Sequence, residues 1–306
     1  MLKHRLIVGP ILIALLLVLV WADDALDRVT LEGVWQTLFR GKEHPPRGLL
    51  LFTFGLAIMP LAARELAEVF RRNHIMTHVW LTTVAAMLGF TLSYSIPYEL
   101  ESPKSIAIVT TGMFGVFILS LLTFSRNKNV EGVVAAAGAV VFAMIYLGLM
   151  LGFLLALRRW HSAWWIVGII LTTKACDIGA YFTGRAIGRH KMIPWLSPGK
   201  TWEGMLGGIA LATVVGVGMA ALSQLLPREQ DQLPLWIGGV CGIAFAIVGQ
   251  LGDLTMSLLK RGAGMKDSSQ LLPGMGGVMD VLDSPLMVAP VAYWLLMLLP
   301  MLAVDG

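Results

Sequence analysis

Polar side chains that could do chemistry gather in three short stretches of the second half of the chain. Residues 174–188 read KACDIGAYFTGRAIG, residues 197–204 read SPGKTWEG, and residues 252–284 carry several aspartates, lysines and glycines. Lysines can neutralise phosphates, and aspartates supply the hard oxygen ligands that suit Mg²⁺. These stretches therefore predict a site where a divalent metal and lysines handle phosphate groups.

The first stretch places charges on one stripe of an apolar helix. Lys174, Asp177, Tyr181, Gly184 and Gly188 follow helical spacing. Asp177 is predicted near the cytoplasmic end of its span, and because an unpaired carboxylate is still costly there, it should face protein or a water-filled cavity. An ion pair with Lys174 that only locks helices together is the alternative. The two glycines form a small-xxx-small pair, which is typical of close helix packing.

The second stretch combines helix breakers with a cation and a hydroxyl group. Pro198 and Gly199 predict a turn that presents Lys200, Thr201 and Glu203 at the entry to the next helix. Glycine beside lysine and threonine is typical of a phosphate cradle. The spacing GxxxxGK[ST] of a Walker A loop is absent, so this stretch alone is weak evidence.

The third stretch brackets a loop between two carboxylate-bearing helix ends. Asp253 shares one helix face with Ser257 and the Lys260–Arg261 pair, and Asp280 and Asp283 stand at i and i+3. Three aspartates around a lysine- and glycine-rich loop indicate a metal site more specifically than a pair of surface carboxylates would. The loop between them carries Lys266, Asp267, Pro273, Gly274, Gly276 and Gly277.

The elements that must position these residues are membrane helices. The chain of 306 residues is 57% hydrophobic and 14% charged, whereas soluble domains are about 25% charged. Runs of roughly 20 apolar residues cross a bilayer as helices. The fold class is therefore predicted as all-α, a polytopic membrane protein with about nine transmembrane helices, of which the second, interrupted by Pro60, is the weakest. The predicted spans are 6–21, 49–61, 78–96, 106–124, 134–157, 164–182, 205–226, 235–251 and 286–303.

The loop charges predict how the chain is oriented. Lys and Arg are more frequent in the loops that are cytoplasmic when the N-terminus is cytoplasmic, which favours that orientation. The same placement explains the net charge of +4 better than nucleic-acid binding, which is not expected. Because two spans separate them, the connections 184–204 and 252–285 must face the same side. A cleaved signal peptide remains an alternative for the first run.

The two cysteines give no indication of a disulfide or a metal site. Cys176 and Cys241 both lie in apolar runs, where cysteine behaves as a small buried hydrophobe and not as a disulfide or metal ligand.

We divide the chain into N-terminal spans, 1–160, and a C-terminal catalytic region, 161–306, with two cytoplasmic polar connections. The oligomeric state stays open, with a homodimer through N-terminal spans or small-residue faces among the options.

The pattern from residue 174 to 284 closely resembles the phosphatidate cytidylyltransferases, membrane enzymes that make CDP-diacylglycerol from CTP and phosphatidic acid. DIGAYFTGR and SPGKTWEG are similar to family segments. The family signature runs approximately S-x-x-K-R-x4-K-D, then P-G-H-G-G, then D-R-x-D. This sequence supplies it with Ser257, Lys260, Arg261, Lys266, Asp267, Pro273, Gly274, Gly276, Gly277, Asp280 and Asp283.

The resemblance implies roles for these residues. Mg²⁺, with a second metal ion left open, would be held by Asp253, Asp280 and Asp283. The catalytic set would add the phosphate-neutralising cations Lys260, Arg261 and Lys266. The substrate-binding set would comprise Asp177, Ser197, Lys200, Thr201, Ser257, Asp267, Gly276 and Gly277. The expected location is the inner, cytoplasmic membrane, with the site facing the cytoplasm and open to lipid in the bilayer.

Four positions depart from the family pattern, and they leave alternatives open. Gly199, Met256, Met275 and Val281 stand where the family usually has lysine, glutamate, histidine and arginine. A CTP-dependent enzyme acting on an isoprenoid or ether lipid, and a non-catalytic membrane relative, are the two alternatives nearest this reading. A secondary transporter would usually show an internal repeat with broken helices in both halves, and none is visible here.

Overall fold

The computed structural model describes residues 2–39, 41–96, 100–126 and 130–304. These residues form eleven α-helices, with a π-helical segment, Met144–Leu149, joining α6 to α7 in one continuous span. The helices are α1 Leu2–Leu26, α2 Val34–Leu38, α3 Leu49–Arg72, α4 Val79–Ser95, α5 Ser102–Ser125, α6 Val133–Ala143, α7 Met150–Arg158, α8 Trp164–Ile187, α9 Trp202–Ser223, α10 Leu235–Gly262 and α11 Val278–Val304.

The prediction of an all-α polytopic membrane protein is confirmed. In the described part of the chain, eight helices are long and apolar enough to cross a membrane. The helix α4, with 17 residues, is at the short end of the range of about 17–25 residues that spans need. The predicted number of about nine spans is therefore close to what the structure contains.

Several helices are longer than the apolar runs that predicted them. The second span was expected to be weak, but α3 runs unbroken through Pro60 to Arg72, since neighbouring helices can satisfy the backbone groups that a proline frees. Similarly, α8 continues to Ile187. Asp177 therefore lies deeper in its helix than predicted, well before the helix end.

The stretch 197–204 is a hairpin strand followed by a helix, and not only a turn. Strand β1, Lys191–Ile193, pairs antiparallel with β2, Ser197–Thr201. The Thr201 side chain then caps α9, because its Oγ1 accepts a hydrogen bond from the Gly204 amide at 3.1 Å. The strand thus places Lys200 close to the start of a membrane helix.

The C-terminal helices pack through small residues. Helix α8 packs chiefly on α9, α9 on α10, and α10 on α11. A Cβ atom built on Gly216 of α9 would lie 2.3 Å from the carbonyl oxygen of Gly238 in α10, so only glycine allows this approach. The predicted pair Gly184 and Gly188 also packs within the chain, against Thr201 at the start of α9.

The N-terminal and C-terminal halves share a hydrophobic core. Met59 and Leu66 of α3 belong to the same buried cluster as Met256 of α10 and Met279 of α11. This contact brings the second half of α3 beside the connection between α10 and α11. The division at residue 160 stays a prediction.

A buried cluster of charges joins α1 to the other helices at the end of the bundle that lies away from the connection between α10 and α11. The Arg158 side chain has no exposed surface, and its guanidinium lies 2.6 Å from Asp23 and 2.8 Å from Asp27. Asp23 also accepts a hydrogen bond from the Leu50 amide at 3.0 Å. The end of α1 is therefore part of the folded bundle and is joined to both α3 and α7.

Candidate active site

A polar cavity of about 820 Å³ lies where the C-terminal segments of α8 and α10 meet β2 and the beginnings of α9 and α11. It draws on all three of the stretches that the sequence singled out. Its charged lining residues are Lys174, Asp177, Lys200, Asp253, Asp280 and Asp283.

An ion pair joins the two polar connections across this cavity. Lys200 Nζ of β2 lies 2.5 Å from Asp253 Oδ2 of α10, and neither side chain is more than one-third exposed. The predicted convergence of the connections 184–204 and 252–285 on one side of the membrane is therefore confirmed. Ser197, from the same strand, also lines the cavity.

A second cation bridges two carboxylates from different helices. Lys174 Nζ of α8 lies 3.4 Å from Asp177 Oδ2 in the same helix and 3.7 Å from Asp283 Oδ1 of α11. Gln250 of α10 donates to Asp177 Oδ1 at 3.2 Å. The pair Lys174–Asp177 thus connects helices, as its locking alternative required, but both residues also line the cavity and are partly exposed.

Asp280 lines the cavity and also organises the loop that precedes it. Its Oδ1 lies 2.5 Å from Lys260 Nζ. Its Oδ2 accepts from the Ser268 amide and hydroxyl and from the Gly277 amide, each at 2.8 Å. Both oxygens of Asp280 therefore already have donors, and Lys260 is buried against α11.

Some of the predicted site residues lie outside this cavity. Lys266 and Asp267 line a separate cavity of about 710 Å³ between α3 and the loop 263–277, together with Arg64. Arg261 is exposed and donates to the Met265 carbonyl at 3.4 Å. Ser257 lies one turn beyond Asp253 and does not line the cavity. The expectation that all these charges meet in one cavity is therefore wrong for this subset.

The glycines of the loop allow a tight connection into α11. Gly276 has φ of +92°, a left-handed conformation that favours glycine, and it pairs with Leu272 in an isolated β-bridge. A Cβ on Gly277 would lie 2.2 Å from Ser268 Oγ and 2.3 Å from a Glu65 oxygen. These two glycines shape the loop, and direct binding of substrate by them stays a prediction.

Two carboxylates outside the predicted site residues hold the site together: Glu65 was not predicted at all, and Glu203 was predicted only to stand at the entry to α9. Glu65 of α3 is buried, and it accepts hydrogen bonds from the loop 263–277 and from the start of α11. Glu203 of α9 accepts from the His190 ring at 2.6 Å and thereby fixes the beginning of β1. Glu65 stands next to Arg64 and three residues before Glu68, after the end of the predicted second span, so no local pattern distinguished it.

The four departures from the family pattern occupy different environments. Gly199, Met275 and Val281 line the cavity, where they replace charged or polar side chains with small or apolar ones. Met256 is fully buried in the core that α3 shares with α10 and α11. Three of the four therefore change the cavity surface, and the fourth is a packing residue.

The carboxylates that line the cavity fit the predicted Mg²⁺. Within the described ranges, no group of three or more His, Cys, Asp or Glu side chains is arranged to hold a metal ion. Mg²⁺ usually takes only one or two carboxylates and completes its shell with water and phosphate oxygens. The hard oxygens of Asp253 and Asp283 at the cavity fit that requirement, and the predicted three-aspartate centre remains a prediction.

The sequence of the chain is similar to those of known proteins. The model of the cytidylyltransferase family matches residues 3–299. A protein of Bacillus subtilis is 31% identical over 80% of this chain and 89% of its own length. A Synechocystis protein is 35% identical over 66% of this chain and 67% of its own length, and one of Haemophilus influenzae is 41% identical over 41% and 43%. All three are called phosphatidate cytidylyltransferase. Because the match covers nearly the whole sequence, the chain belongs to the cytidylyltransferase family.

Proposed function

We propose that the protein transfers a cytidylyl group from CTP to phosphatidate, giving CDP-diacylglycerol and pyrophosphate. The observation that carries the proposal is the cavity of about 820 Å³ in which lysines and aspartates from α8, β2, α10 and α11 face one another among membrane helices. The relatives' name supports the choice of substrates. A soluble nucleotide and a membrane lipid could both reach a cavity at this position.

The reaction brings two anions together. A phosphate oxygen of phosphatidate attacks the α-phosphorus of CTP, the new P–O bond forms, and the bond to the β-phosphate oxygen breaks to release pyrophosphate. No general base is required, because the lipid phosphate, with a second pKa near 6, is already an anion. Lys174 and Lys200, which line the cavity, would neutralise the triphosphate and reduce the repulsion between the substrates.

The ion pairs of the cavity suggest how it accepts an anionic substrate. Lys200 contacts Asp253 in this structure, and Lys174 lies between Asp177 and Asp283. A triphosphate would compete for the lysines and leave carboxylate oxygens free for a cation. Asp253 and Asp283 would hold Mg²⁺, with Asp280 also bound to its loop partners. When bound, Mg²⁺ would stabilise the charge that develops on the leaving pyrophosphate.

The lipid substrate would enter from the side of the bundle. Ile178 and Tyr181 of α8 line the cavity and are 53% and 58% exposed. They belong to a helix that is long and apolar enough to cross a membrane, so the cavity would open toward the acyl region. The headgroup would then reach Lys174 while the acyl chains stay in lipid.

The orientation follows from the loop charges. The excess of Lys and Arg favours a cytoplasmic N-terminus, which places both polar connections in the cytoplasm, where CTP is available. The protein would be a multi-pass component of the inner, cytoplasmic membrane.

The proposed function is tested with purified protein in detergent or vesicles, radiolabelled CTP, Mg²⁺ and phosphatidate. We expect a chloroform-soluble cytidine product together with pyrophosphate. The same assay with a polyprenyl phosphate or an archaeal ether-lipid phosphate tests the alternative acceptors. A product with one of these and none with phosphatidate would refute the proposed acceptor, and no product with any acceptor would support a non-catalytic relative.

A further inference from the structure

We propose that Glu65, which lies in α3 and outside the cavity, is a positioning residue for the reaction: it anchors the loop 263–277 and the start of α11, and so holds the carboxylates of α11 in their working positions. The inference rests on the proposed function for its catalytic consequence. The anchoring itself can be tested separately.

Four donors surround the Glu65 carboxylate. Oε1 accepts from the Ser269 hydroxyl at 2.6 Å and the Val278 amide at 3.1 Å. Oε2 accepts from the Met279 amide at 2.9 Å and lies 3.0 Å from the Ser268 hydroxyl, whose one proton it shares with Asp280 Oδ2. Two of these donors belong to the loop and two to the first turn of α11, so a single side chain holds both segments.

The position of Glu65 gives this anchor an electrostatic basis. The first amides of a helix have no partner within that helix, and the N-terminus favours negative charge. Glu65 supplies the missing acceptors for Val278 and Met279 from another helix. Because the residue is only 6% exposed, water cannot readily replace these bonds when they are lost.

The network continues from Glu65 to the cavity. The Ser268 hydroxyl lies 3.0 Å from Glu65 Oε2 and 2.8 Å from Asp280 Oδ2. Asp280 in turn contacts Lys260 of α10. Gly277 permits the close approach, since a Cβ there would collide with both Glu65 and Ser268. The loop is therefore fixed between a carboxylate of α3 and a carboxylate that lines the cavity.

This arrangement predicts an effect on turnover more than on nucleotide binding. The cations assigned to the triphosphate, Lys174 and Lys200, belong to α8 and β2, whereas the four hydrogen bonds of Glu65 go to the loop 263–277 and to α11. The groups that Glu65 positions, Asp280 and Asp283, lie in the first two turns of α11. Loss of the anchor should disturb these carboxylates while leaving the lysines in place.

The first experiment measures steady-state kinetics of Glu65→Gln, which has the same length but presents an NH₂ group to some of the four donors. We expect kcat to fall at least about 10-fold and KM for CTP to stay within about 3-fold, the pattern of a group that acts in the transition state. The matched control is Glu68→Gln, in which a partly exposed glutamate one turn away pairs with Arg71 and Arg72 of its own helix. It should retain wild-type kinetics.

A spectroscopic measurement tests the anchor without relying on activity. Leu271 is 50% exposed in the loop, and both native cysteines are buried, so Leu271→Cys can carry a nitroxide spin label. The label should become more mobile when Glu65→Gln is added and should not change with Glu68→Gln. Unchanged mobility in Glu65→Gln would overturn the proposal.

A double-mutant cycle with Ser268→Ala tests whether Glu65 acts through the loop. If it does, the double variant should lose about as much kcat as Glu65→Gln alone, whereas independent losses would multiply and overturn the proposal. Should Glu65→Gln not fold, Ser268→Ala and Ser269→Ala each remove one donor, and wild-type kcat in both would overturn it. Wild-type protein without any cytidine-lipid product would refute the proposed function, whereas the spin label would still report on the anchor.

Discussion

Replacement of Asp283 by asparagine separates a metal-binding carboxylate from one that only stabilises the fold. The side chain is 7% exposed, lines the cavity, and lies 3.7 Å from Lys174. Asparagine has nearly the same shape, and its Oδ1 can still accept from the Ser284 amide, which contacts Asp283 at 2.6 Å. The change therefore removes a charge and little else.

The structural cost of this replacement should be small. At an effective dielectric constant of about 20, the attraction between Lys174 and Asp283 would be roughly 4 kcal/mol, and the desolvation of the buried charges offsets most of it. Lys174 would also keep Asp177, 3.4 Å away. We expect a net loss of stability of about 1 kcal/mol, a typical value for a single replacement.

The catalytic cost should be larger. If Asp283 holds Mg²⁺ against the triphosphate, its loss should lower kcat at least about 100-fold, which corresponds to ~2.7 kcal/mol in the barrier. The assay compares turnover of CTP with the thermal unfolding of the same preparation, and Glu101→Gln, an exposed carboxylate at the other end of the bundle, is the control. A well-folded Asp283→Asn protein that keeps more than about a tenth of wild-type kcat would refute the assignment.

Four further predictions follow from the structure. Lys200→Met should raise KM for CTP or lower kcat by about 10-fold, measured by CTP titration, and wild-type kinetics would exclude a phosphate contact. Chelation of divalent metal should abolish product formation and added Mg²⁺ should restore it, whereas full activity in excess chelator would contradict the metal site. Arg158→Met should cost about 3–5 kcal/mol of stability, because it leaves the buried Asp23 carboxylate without its charged partner, and an unchanged thermal unfolding midpoint would contradict this. A cysteine at Trp195, which is 76% exposed, should react with a membrane-impermeant thiol reagent from the cytoplasmic side, and one at Val34, which is 82% exposed, from the opposite side. The reverse pattern would refute the orientation.

The membrane fold could be predicted because lipid leaves the backbone few options. Long apolar runs must form helices, in which every backbone group is satisfied within the segment. Hydropathy placed the runs well but not the helix ends. The last helix begins at Val278 and not near residue 286, since the polar turn that carries Asp280 and Asp283 is helical without being apolar.

The site could be predicted only where its residues carry a local pattern. The spacing of Asp253, Asp280 and Asp283 predicted their cavity, and the even number of intervening spans predicted that Lys200 would join them. Glu65 was not predicted as a site residue, because its partners lie about 200 positions later in the chain and no local spacing encodes such a contact. Lys266 was wrongly expected in the cavity for a similar reason. Its closeness in sequence to residues that line the cavity does not show on which side of the loop 263–277 its side chain lies.

The buried cluster around Arg158 has a consequence for biosynthesis. Asp23 lies in the last turn of the first helix, whereas Arg158, the arginine with which it pairs, is made more than a hundred residues later. Until α7 emerges, the Asp23 carboxylate must remain in water at the membrane surface, because lipid would not tolerate it unpaired. The first helix can therefore enter the bilayer early, but its final docking must wait for the middle of the chain.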